Sequence, residues 1–220
     1  YFGLDPDSQE KSVYQLFQGI GVESGIPASE ILHKTRVDGL QLMPSSTALA
    51  TLDRQLGTQE GKGLVMASAL TQLEGEFDYA LLDCPPLLGI LMVNALAACE
   101  HLLLPVQTEF LAIKGLERMM RTLKMIRRAR RNIFEYTIVP TMFDRRTRAA
   151  FDSLKSLREQ YPTELWESVI PIDTKFREAS KQGLPLSIML PSSRGAKAYE
   201  ALLTSLLRGR DKPPLKQVNS

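Results

Sequence analysis

The chain has 220 residues, a net charge of only +2 and a hydrophobic content of 44%, which suits one α/β domain with a large core. Its two cysteines cannot form a disulfide framework or a four-ligand zinc site, and no apolar run reaches the roughly 18 residues that span a bilayer. We therefore expect a cytoplasmic protein without membrane attachment.

The small net charge conceals two halves of opposite sign. Residues 1–110 hold 5 lysine and arginine residues against 14 acidic ones, whereas residues 111–220 hold 22 against 11. A strongly basic half favours a polyanionic partner. The alternative is a set of amphipathic helices whose basic faces are simply solvated.

Hydrophobic periodicity and turn residues predict the elements of the N-terminal part. We expect three helices, at residues 12–18, 47–55 and 63–73. Two strands are expected, at residues 39–43 and 79–84. The second strand is an apolar run that ends near Asp83 and stops at two prolines.

Farther along the chain, short β-rich strands alternate with longer helices. The helices are expected at residues 91–98, 112–131, 147–160 and 196–207, and the strands at residues 101–106, 136–142 and 169–172. This alternation predicts an α/β fold with a mostly parallel sheet and helices on both faces. We assign residues 1–208 to one domain and residues 209–220 to a disordered polar tail.

Ligands of such sheets bind at the carboxyl ends of the strands. Asp83 lies at one such end and is followed by Pro85 and Pro86, so that a carboxylate precedes a rigid turn. That arrangement suits a magnesium ion bound to nucleotide phosphates, although an aspartate that merely caps the next helix gives the same pattern. No GxxxxGK[ST] phosphate loop occurs in the 220 residues.

Several segments resemble, in the same order, the ParA/Soj-type partition ATPases, a deviant Walker A family related to MinD. A DCPP turn similar to the family's Walker B turn precedes an Asn-Ala-Leu helix, a strand ending in Pro-Val-Gln and a helix with Gly-Leu, at residues 83–86, 94–96, 105–107 and 115–116. Residues 138–147 resemble the strand and turn on the adenine side, and residues 169–202 resemble the closing segment. The opening YFGLDPDS and residues 141–150 are most similar to members associated with chemotaxis clusters.

The resemblance implies a P-loop NTPase-like fold whose first strand and phosphate loop precede residue 1. Without the backbone cradle and the lysine of that loop, phosphates are poorly held. We therefore expect these 220 residues alone neither to hydrolyse ATP nor to bind it tightly. The alternative is a degenerate relative that works without ATP.

For the complete protein the resemblance implies an ATPase with ATP and magnesium as cofactors. Asp83 is then the catalytic candidate and contacts the magnesium ion through water, while Pro85 and Pro86 sense the γ-phosphate. The candidates for the adenine side are Phe143, Asp144, Pro171 and Asp173.

The family resemblance also implies an ATP-dependent homodimer that binds DNA without sequence preference on the nucleoid. The DNA-binding candidates are Lys175, Arg177, Arg194 and Lys197. The basic run at residues 127–131 is an additional candidate, although cations also suit the carboxyl end of any helix.

A ParB-like protein or a cargo adaptor would stimulate hydrolysis in such an ATPase. The cargo stays open among plasmid, chromosome, chemoreceptor array and flagellar machinery. A deviant Walker synthase or ligase, such as a cobyrinic acid a,c-diamide synthase-like enzyme, is the alternative function, and the basic half favours the partition ATPase over it.

Overall fold

The structure, a computed structural model, describes residues 2–18, 25–55, 62–85, 89–130 and 134–210. The chain folds into two compact units, residues 1–102 with 132–135 and residues 103–131 with 136–220. A single folding domain over residues 1–208 stays a prediction, because compactness does not by itself establish independent folding. Most of the expected tail, residues 211–220, lies outside the described residues.

The first unit is mainly helical. Its helices are α1 (Val13–Gln18), α2 (Ala48–Gln55), α3 (Val65–Thr71) and α4 (Ile90–Ala98), with short 3-10 helices at Ala28–Ile31 and Lys62–Leu64. Two short antiparallel strands, β1 (His33–Lys34) and β2 (Gln41–Leu42), pair His33 with Leu42. All three predicted helices of this part and the strand at residues 39–43 are therefore confirmed, with shorter bounds.

The core of the first unit forms where α1, α3 and the 3-10 turn at Ala28–Ile31 meet, and Phe17, Ile31 and Ala69 are almost fully buried in it. Asn94 is also fully buried, but its amide is satisfied. The side-chain oxygen accepts from the Met66 N–H at 3.3 Å, and the nitrogen donates to the Ile90 carbonyl at 2.9 Å. A buried amide with both ends bonded joins α3 to α4, and these bonds offset the cost of taking the amide out of water.

The predicted strand at residues 79–84 is wrong for the described structure. Residues 80–84 belong to no β-ladder among the described residues. Leu82 packs against the core, whereas Leu81 is 90% exposed. A strand is defined by hydrogen bonds to a neighbour, and an apolar run alone cannot supply that neighbour.

The second unit is built from strands β3 (His101–Gln107) and β4 (Glu135–Thr141), which are neighbours in one sheet and whose first residues are grouped with the first unit. Backbone bonds link Glu135 to Glu100 where the strands begin and Thr108 to Thr141 where they end, so the two strands are parallel. Single parallel bridges add Leu165 beside Ile138 and Pro171 beside Phe143.

Helix α5 (Phe110–Arg130) connects β3 to β4, α6 (Arg148–Gln160) follows β4, and the two helices pack together. Val139 of β4 packs with Trp166 and with Leu202 of α9 (Arg194–Arg210), so α9 covers one face of the sheet. The adjacent Ile138 points to the other face and is fully buried there. The predicted α/β class with a parallel sheet and helices on both faces is confirmed. In place of the predicted strand at residues 169–172, the structure has a single bridge, at Pro171.

Two helices were not predicted from the sequence, α7 (Lys175–Gln182) and α8 (Leu186–Met189). Helix α7 has the polar sequence KFREASKQ, in which Ala179 is the buried residue, so its periodic signal is weak. It ends at Gly183, whose φ of 67° is the left-handed conformation that glycine adopts without strain. None of the helices in the described residues is long and apolar enough to span a bilayer.

Candidate functional site

The first part of the candidate site is the turn at Asp83 in the first unit. Asp83 and Pro85 are exposed, and Pro86 lies outside the described residues. The neighbouring Cys84 is half-buried and its thiol donates to the Leu82 carbonyl at 3.6 Å. Burial and the charge of Asp83 both raise the pKa of Cys84, so this thiol stays protonated and is a poor nucleophile at neutral pH.

The donor set at this turn is a single carboxylate. Within the described ranges, no group of three or more histidine, cysteine or acidic side chains that could hold a metal ion is present. One exposed carboxylate does not make a closed metal cage, but it fits magnesium, which usually keeps several waters and takes other ligands from nucleotide phosphates.

The second part of the site lies in the second unit, where β4 ends. The Phe143 N–H donates to the Ile170 carbonyl, and the Ile172 N–H donates to the Phe143 carbonyl, both at 3.1 Å. These bonds hold Phe143 beside Pro171, so two of the four adenine-side candidates are direct neighbours. Both offer apolar surface at the carboxyl edge of the sheet.

Met142, at the carboxyl end of β4, has an unusual backbone conformation. It is a non-glycine residue with a φ of 53°, in the left-handed region, and its side chain is half-exposed. Non-glycine residues in this conformation cost free energy and cluster at binding sites. The sequence carries no signal for this feature, because methionine has no preference for left-handed turns.

Asp144, the third adenine-side candidate, is fully engaged by Arg146. The Arg146 Nε and Nη2 atoms donate to the two carboxylate oxygens at 2.9 and 2.8 Å, and its backbone N–H donates to Oδ1 at 3.0 Å. These bonds lower the pKa of Asp144 to about 2. The Asp144 carboxylate is therefore already paired with the Arg146 guanidinium group. If Asp144 contacts adenine as predicted, it does so as part of this ion pair.

A cleft of about 590 Å³ opens beside Phe143 within the second unit. Phe143 and Phe151 form part of its wall and meet edge to face, with ring centroids 5.1 Å apart. Lys155 and Arg158 of α6 also line it. Asp144, Pro171 and Asp173 do not, so this cleft extends along α6 and does not gather the four adenine-side candidates.

Asp173, the fourth adenine-side candidate, joins the starts of two helices. Its Oδ1 accepts from the Lys175 N–H, and its Oδ2 accepts from the Gly195 N–H, each at 3.0 Å. Thr174 at the N-cap of α7 makes no side-chain cap bond, so Asp173 serves instead. We call Asp173 and the first turns of α7 and α9 the helix joint.

The helix joint links the starts of the two helices that carry the four cations that the resemblance assigns to DNA. Lys175 and Arg177 lie in the first turn of α7, Arg194 and Lys197 lie in the first turn of α9, and all four are exposed. The pKa of Asp173 is lowered first by the Gly195 N–H, then by the Lys175 N–H and by the charges of Arg194 and Lys175. The Lys175 ammonium group itself forms an ion pair with Glu178, with 2.9 Å between Nζ and Oε2.

Close packing closes the helix joint on its inner side. A Cβ atom on Gly195 would lie 2.5 Å from the Cε2 atom of Phe176, so only glycine fits without rearrangement. The Phe176 ring meets Tyr199 edge to face at a centroid distance of 5.7 Å. The Ser193 hydroxyl accepts from the Ala196 N–H at 3.2 Å and caps α9. The Ser-Arg-Gly-Ala segment of the sequence contains both the capping serine and the required glycine, but the sequence analysis singled out only its arginine, Arg194.

Parallel strands joined by packed helices, with polar turns collected at the carboxyl edge, define an α/β fold of the P-loop NTPase class. The cobyrinic acid a,c-diamide synthase of Mycobacterium smegmatis, solved with a bound ATP analogue and magnesium, has this fold, with a TM-score of 0.78 and 28% identity over 96% of this chain and 77% of its own. A family model described as an AAA domain matches residues 1–136. The chain belongs to this AAA domain family, in its ParA/Soj branch.

Among the curated relatives are proteins named for chromosome partitioning and for sporulation. The chromosome partitioning protein ParA of Myxococcus xanthus is 31% identical over 188 residues, which is 85% of this chain and 66% of that protein. The sporulation initiation inhibitor protein Soj of Bacillus subtilis is 27% identical over 198 residues, 90% of this chain and 76% of that protein. The chain thus spans just under two thirds of the Myxococcus relative, so the activity of the whole protein is a matter for proposal.

Proposed function

We propose that the complete protein is a ParA-like ATP-dependent switch that dimerises with ATP, binds DNA non-specifically and positions DNA or a protein cargo. The observation that carries this proposal is the helix joint, where the structure gathers four exposed cations on two linked helix starts. The similarity to ParA and Soj along most of the chain supports the same function.

The proposed cofactors are ATP and magnesium, which supply the free energy of phosphoanhydride hydrolysis when bound. Asp83 is the carboxylate that would orient the water shell of the metal, and its exposure leaves it accessible for this role. Pro85 and Pro86 follow it as the rigid turn. Phe143 and Pro171 supply apolar surface for the adenine base, whereas Asp144 and Asp173 act mainly by holding the two turns in place.

DNA binding in this proposal is electrostatic. Lys and Arg side chains that neutralise phosphates release condensed counterions, so affinity falls steeply with salt and carries little sequence preference. Asp173 bonds the starts of the two helices through the Lys175 and Gly195 N–H groups, so the backbone positions that carry Lys175, Arg177, Arg194 and Lys197 are tied to one another. The helix joint thus supplies the positive surface of this proposal.

The proposed partners are a second copy of the chain, non-specific DNA, and a ParB-like protein or cargo adaptor. Phe110 and Leu111 at the start of α5 are 68% and 74% exposed, and Met142 is 50% exposed at the neighbouring strand end. Apolar side chains exposed together at a ligand-binding edge favour an interface with a second copy. The proposed location is the cytoplasm, on the nucleoid.

Lys175→Glu tests the DNA proposal at one residue. The change replaces a cation at the first residue of α7, where an acidic side chain suits the helix macrodipole, so the helix should remain folded. We expect ATP-dependent retention on non-specific duplex DNA to fall at least tenfold, and the slope of log affinity against log salt to fall by about 1. The measurement is fluorescence anisotropy of the complete protein over a salt series.

Lys181→Glu is the matched control, because it makes the same change in charge in the last turn of the same helix. Its DNA affinity should stay near that of the wild type. Equal losses in both variants would show that α7 acts only through net charge, and unchanged retention of Lys175→Glu would remove Lys175 from the site.

A synthase-like enzyme is the second candidate function, and the fold match to the cobyrinic acid a,c-diamide synthase favours it. The two functions differ in what accompanies ATP turnover. A synthase would consume ATP together with an amide donor and a carboxylate substrate and ignore duplex DNA. A partition switch would show DNA retention with ATP and no amidation of cobyrinic acid.

A further inference from the structure

Helix α7 holds a carboxylate against one of its own DNA-binding candidates. The Lys175 ammonium group donates to both carboxylate oxygens of Glu178, at 3.0 and 2.9 Å. Both residues lie in the first turn of the helix, and their side chains are 46% and 53% exposed. The pair is therefore at the surface, where an anion from solution competes with Glu178 for the same ammonium group.

Lys175 is the one cation of the helix joint that is already paired. Over the ranges that the structure describes, Arg177, Arg194 and Lys197 form no ion pair, whereas Lys175 does. A phosphate that binds Lys175 therefore has to displace Glu178. A phosphate at one of the other three cations has no such partner to displace.

Helix stability does not explain why a lysine occupies the first position of α7. A cation at the amino end of a helix opposes the macrodipole, and a glutamate before a lysine is a more favourable order than the reverse. Glu178, in the same turn, offsets the charge of Lys175 and itself suits the dipole. The helix thus gains nothing from the cation at its start, which favours a role for Lys175 in binding.

We propose that Glu178 is an internal competitor of DNA at the helix joint, which holds the Lys175 ammonium group in the free protein and lowers the affinity for duplex phosphates. When DNA binds, this ammonium group moves from the Glu178 carboxylate to a phosphate oxygen, and the carboxylate is left to water. An affinity lowered in this way keeps DNA binding reversible, as a switch requires. The inference rests on the proposed function, because it requires that Lys175 contacts DNA.

Glu178→Gln tests the competition, because glutamine keeps the size of the side chain and removes its charge. The complete protein, with ATP and magnesium, is titrated into a fluorescent duplex of arbitrary sequence at fixed salt, and anisotropy gives the affinity. An exposed ion pair typically contributes a factor of roughly 1.4 to 5 to an equilibrium constant, and a dimer has two such pairs. We therefore expect the affinity to rise about three- to tenfold.

Damage to the fold would not produce a rise in affinity. Glu178 suits the amino end of α7, so its loss should weaken this helix slightly, and a weakened helix would bind DNA less well. Glu159→Gln is the matched control, since it removes the same charge from an exposed carboxylate that lies 3.9 Å from Lys155 on α6, outside the helix joint. Its affinity should stay within about a factor of two of the wild type.

Lys175→Gln distinguishes competition from simple repulsion between Glu178 and DNA. In that background there is no ammonium group to release, so Glu178→Gln should raise the affinity less than about twofold. Equal gains with and without Lys175 would overturn the competition and leave Glu178 as a repulsive charge only. A loss of affinity in Glu178→Gln would also overturn it, because Glu178 would then be orienting Lys175 for DNA.

The wild type separates this inference from the proposed function. Unchanged affinity in Glu178→Gln, with the wild type bound to the duplex, would overturn the role of Glu178 and leave the proposed function intact. If the wild type itself failed to bind the duplex with ATP and magnesium, the proposed function would be overturned as well.

Discussion

Replacing Gly195 by alanine is expected to lower the free energy of unfolding by about 1–3 kcal/mol, the range typical of overpacking in a core. The added methyl group would lie 2.5 and 2.8 Å from two carbons of the Phe176 ring and 3.3 Å from the Asp173 Cβ atom. Either the ring rotates or the start of α9 moves away from α7. Urea unfolding of the complete protein measures the change.

Rotation of the Phe176 ring would itself cost free energy, because the ring is packed against its neighbours. Phe176 packs against a buried cluster of Ala179, Leu186 and Ala196, and its other side meets Tyr199. If α9 moves instead, the Gly195 N–H leaves Asp173 and the cations at the two helix starts separate. Gly195→Ala should therefore also weaken DNA retention, although it changes no charge.

Gly115→Ala is the control for the loss of a glycine. Gly115 lies inside α5 and an added Cβ would meet no atom within 4 Å, so alanine should stabilise the helix by about 0.5–1 kcal/mol. The two glycine-to-alanine changes should therefore shift the free energy of unfolding in opposite directions. Phe176→Leu should lower the free energy of unfolding less in the Gly195→Ala background than in the wild type. Equal decreases in the two backgrounds would show that the Phe176 ring is not what the added methyl group collides with.

The parts of the fold that sequence reasoning located are those with a strong period. Helix α5 was expected at residues 112–131 and lies at Phe110–Arg130, because buried and charged residues alternate along it at helical spacing. Strand β4 and helix α6 were also located to within about one residue at most ends, since Thr147 provides a clear N-cap for α6.

The parts that sequence reasoning missed depend on tertiary partners. The segment around Leu81 is an apolar run typical of a strand, but whether it pairs depends on a neighbour elsewhere in the chain. Helix α7 has too few apolar residues for a periodic signal and is held by Asp173 at its start. The family resemblance assigns the same carboxylate to the adenine side, and no sequence pattern shows that it accepts a bond from the Gly195 N–H, 22 residues away.

Asp173→Ala is the second change for which a large effect is expected. It leaves the first N–H groups of two helices without their side-chain acceptor, and a lost cap costs about 1 kcal/mol at each, so the free energy of unfolding should fall by about 2 kcal/mol at neutral pH. The loss should be coupled to function, because Asp173 accepts from the Lys175 and Gly195 N–H groups and so ties together the helix starts that carry Lys175 and Arg194. Their separation would lower DNA affinity and the salt slope together.

The pH dependence identifies the carboxylate as the cause. The pKa of Asp173 is lowered in the folded state, chiefly by the Gly195 N–H, so its contribution is present above the unfolded pKa of about 3.9 and is lost as pH falls through the folded pKa. The difference in unfolding free energy between the wild type and Asp173→Ala should therefore be constant above about pH 5 and shrink below about pH 4. Urea unfolding over a pH series measures it.

Asp152→Ala is the matched control, since Asp152 lies on the surface of α6 and its contact with Arg148 is long, at 3.7 Å. An exposed pair of this kind contributes little, so the control should stay within about 0.5 kcal/mol of the wild type. If Asp173→Ala behaves as Asp152→Ala does at every pH, the two helix starts are held by packing at Gly195 and not by the carboxylate. A large, acid-sensitive loss at Asp173 alone would instead make this residue the link that fixes the spacing of the DNA-binding cations.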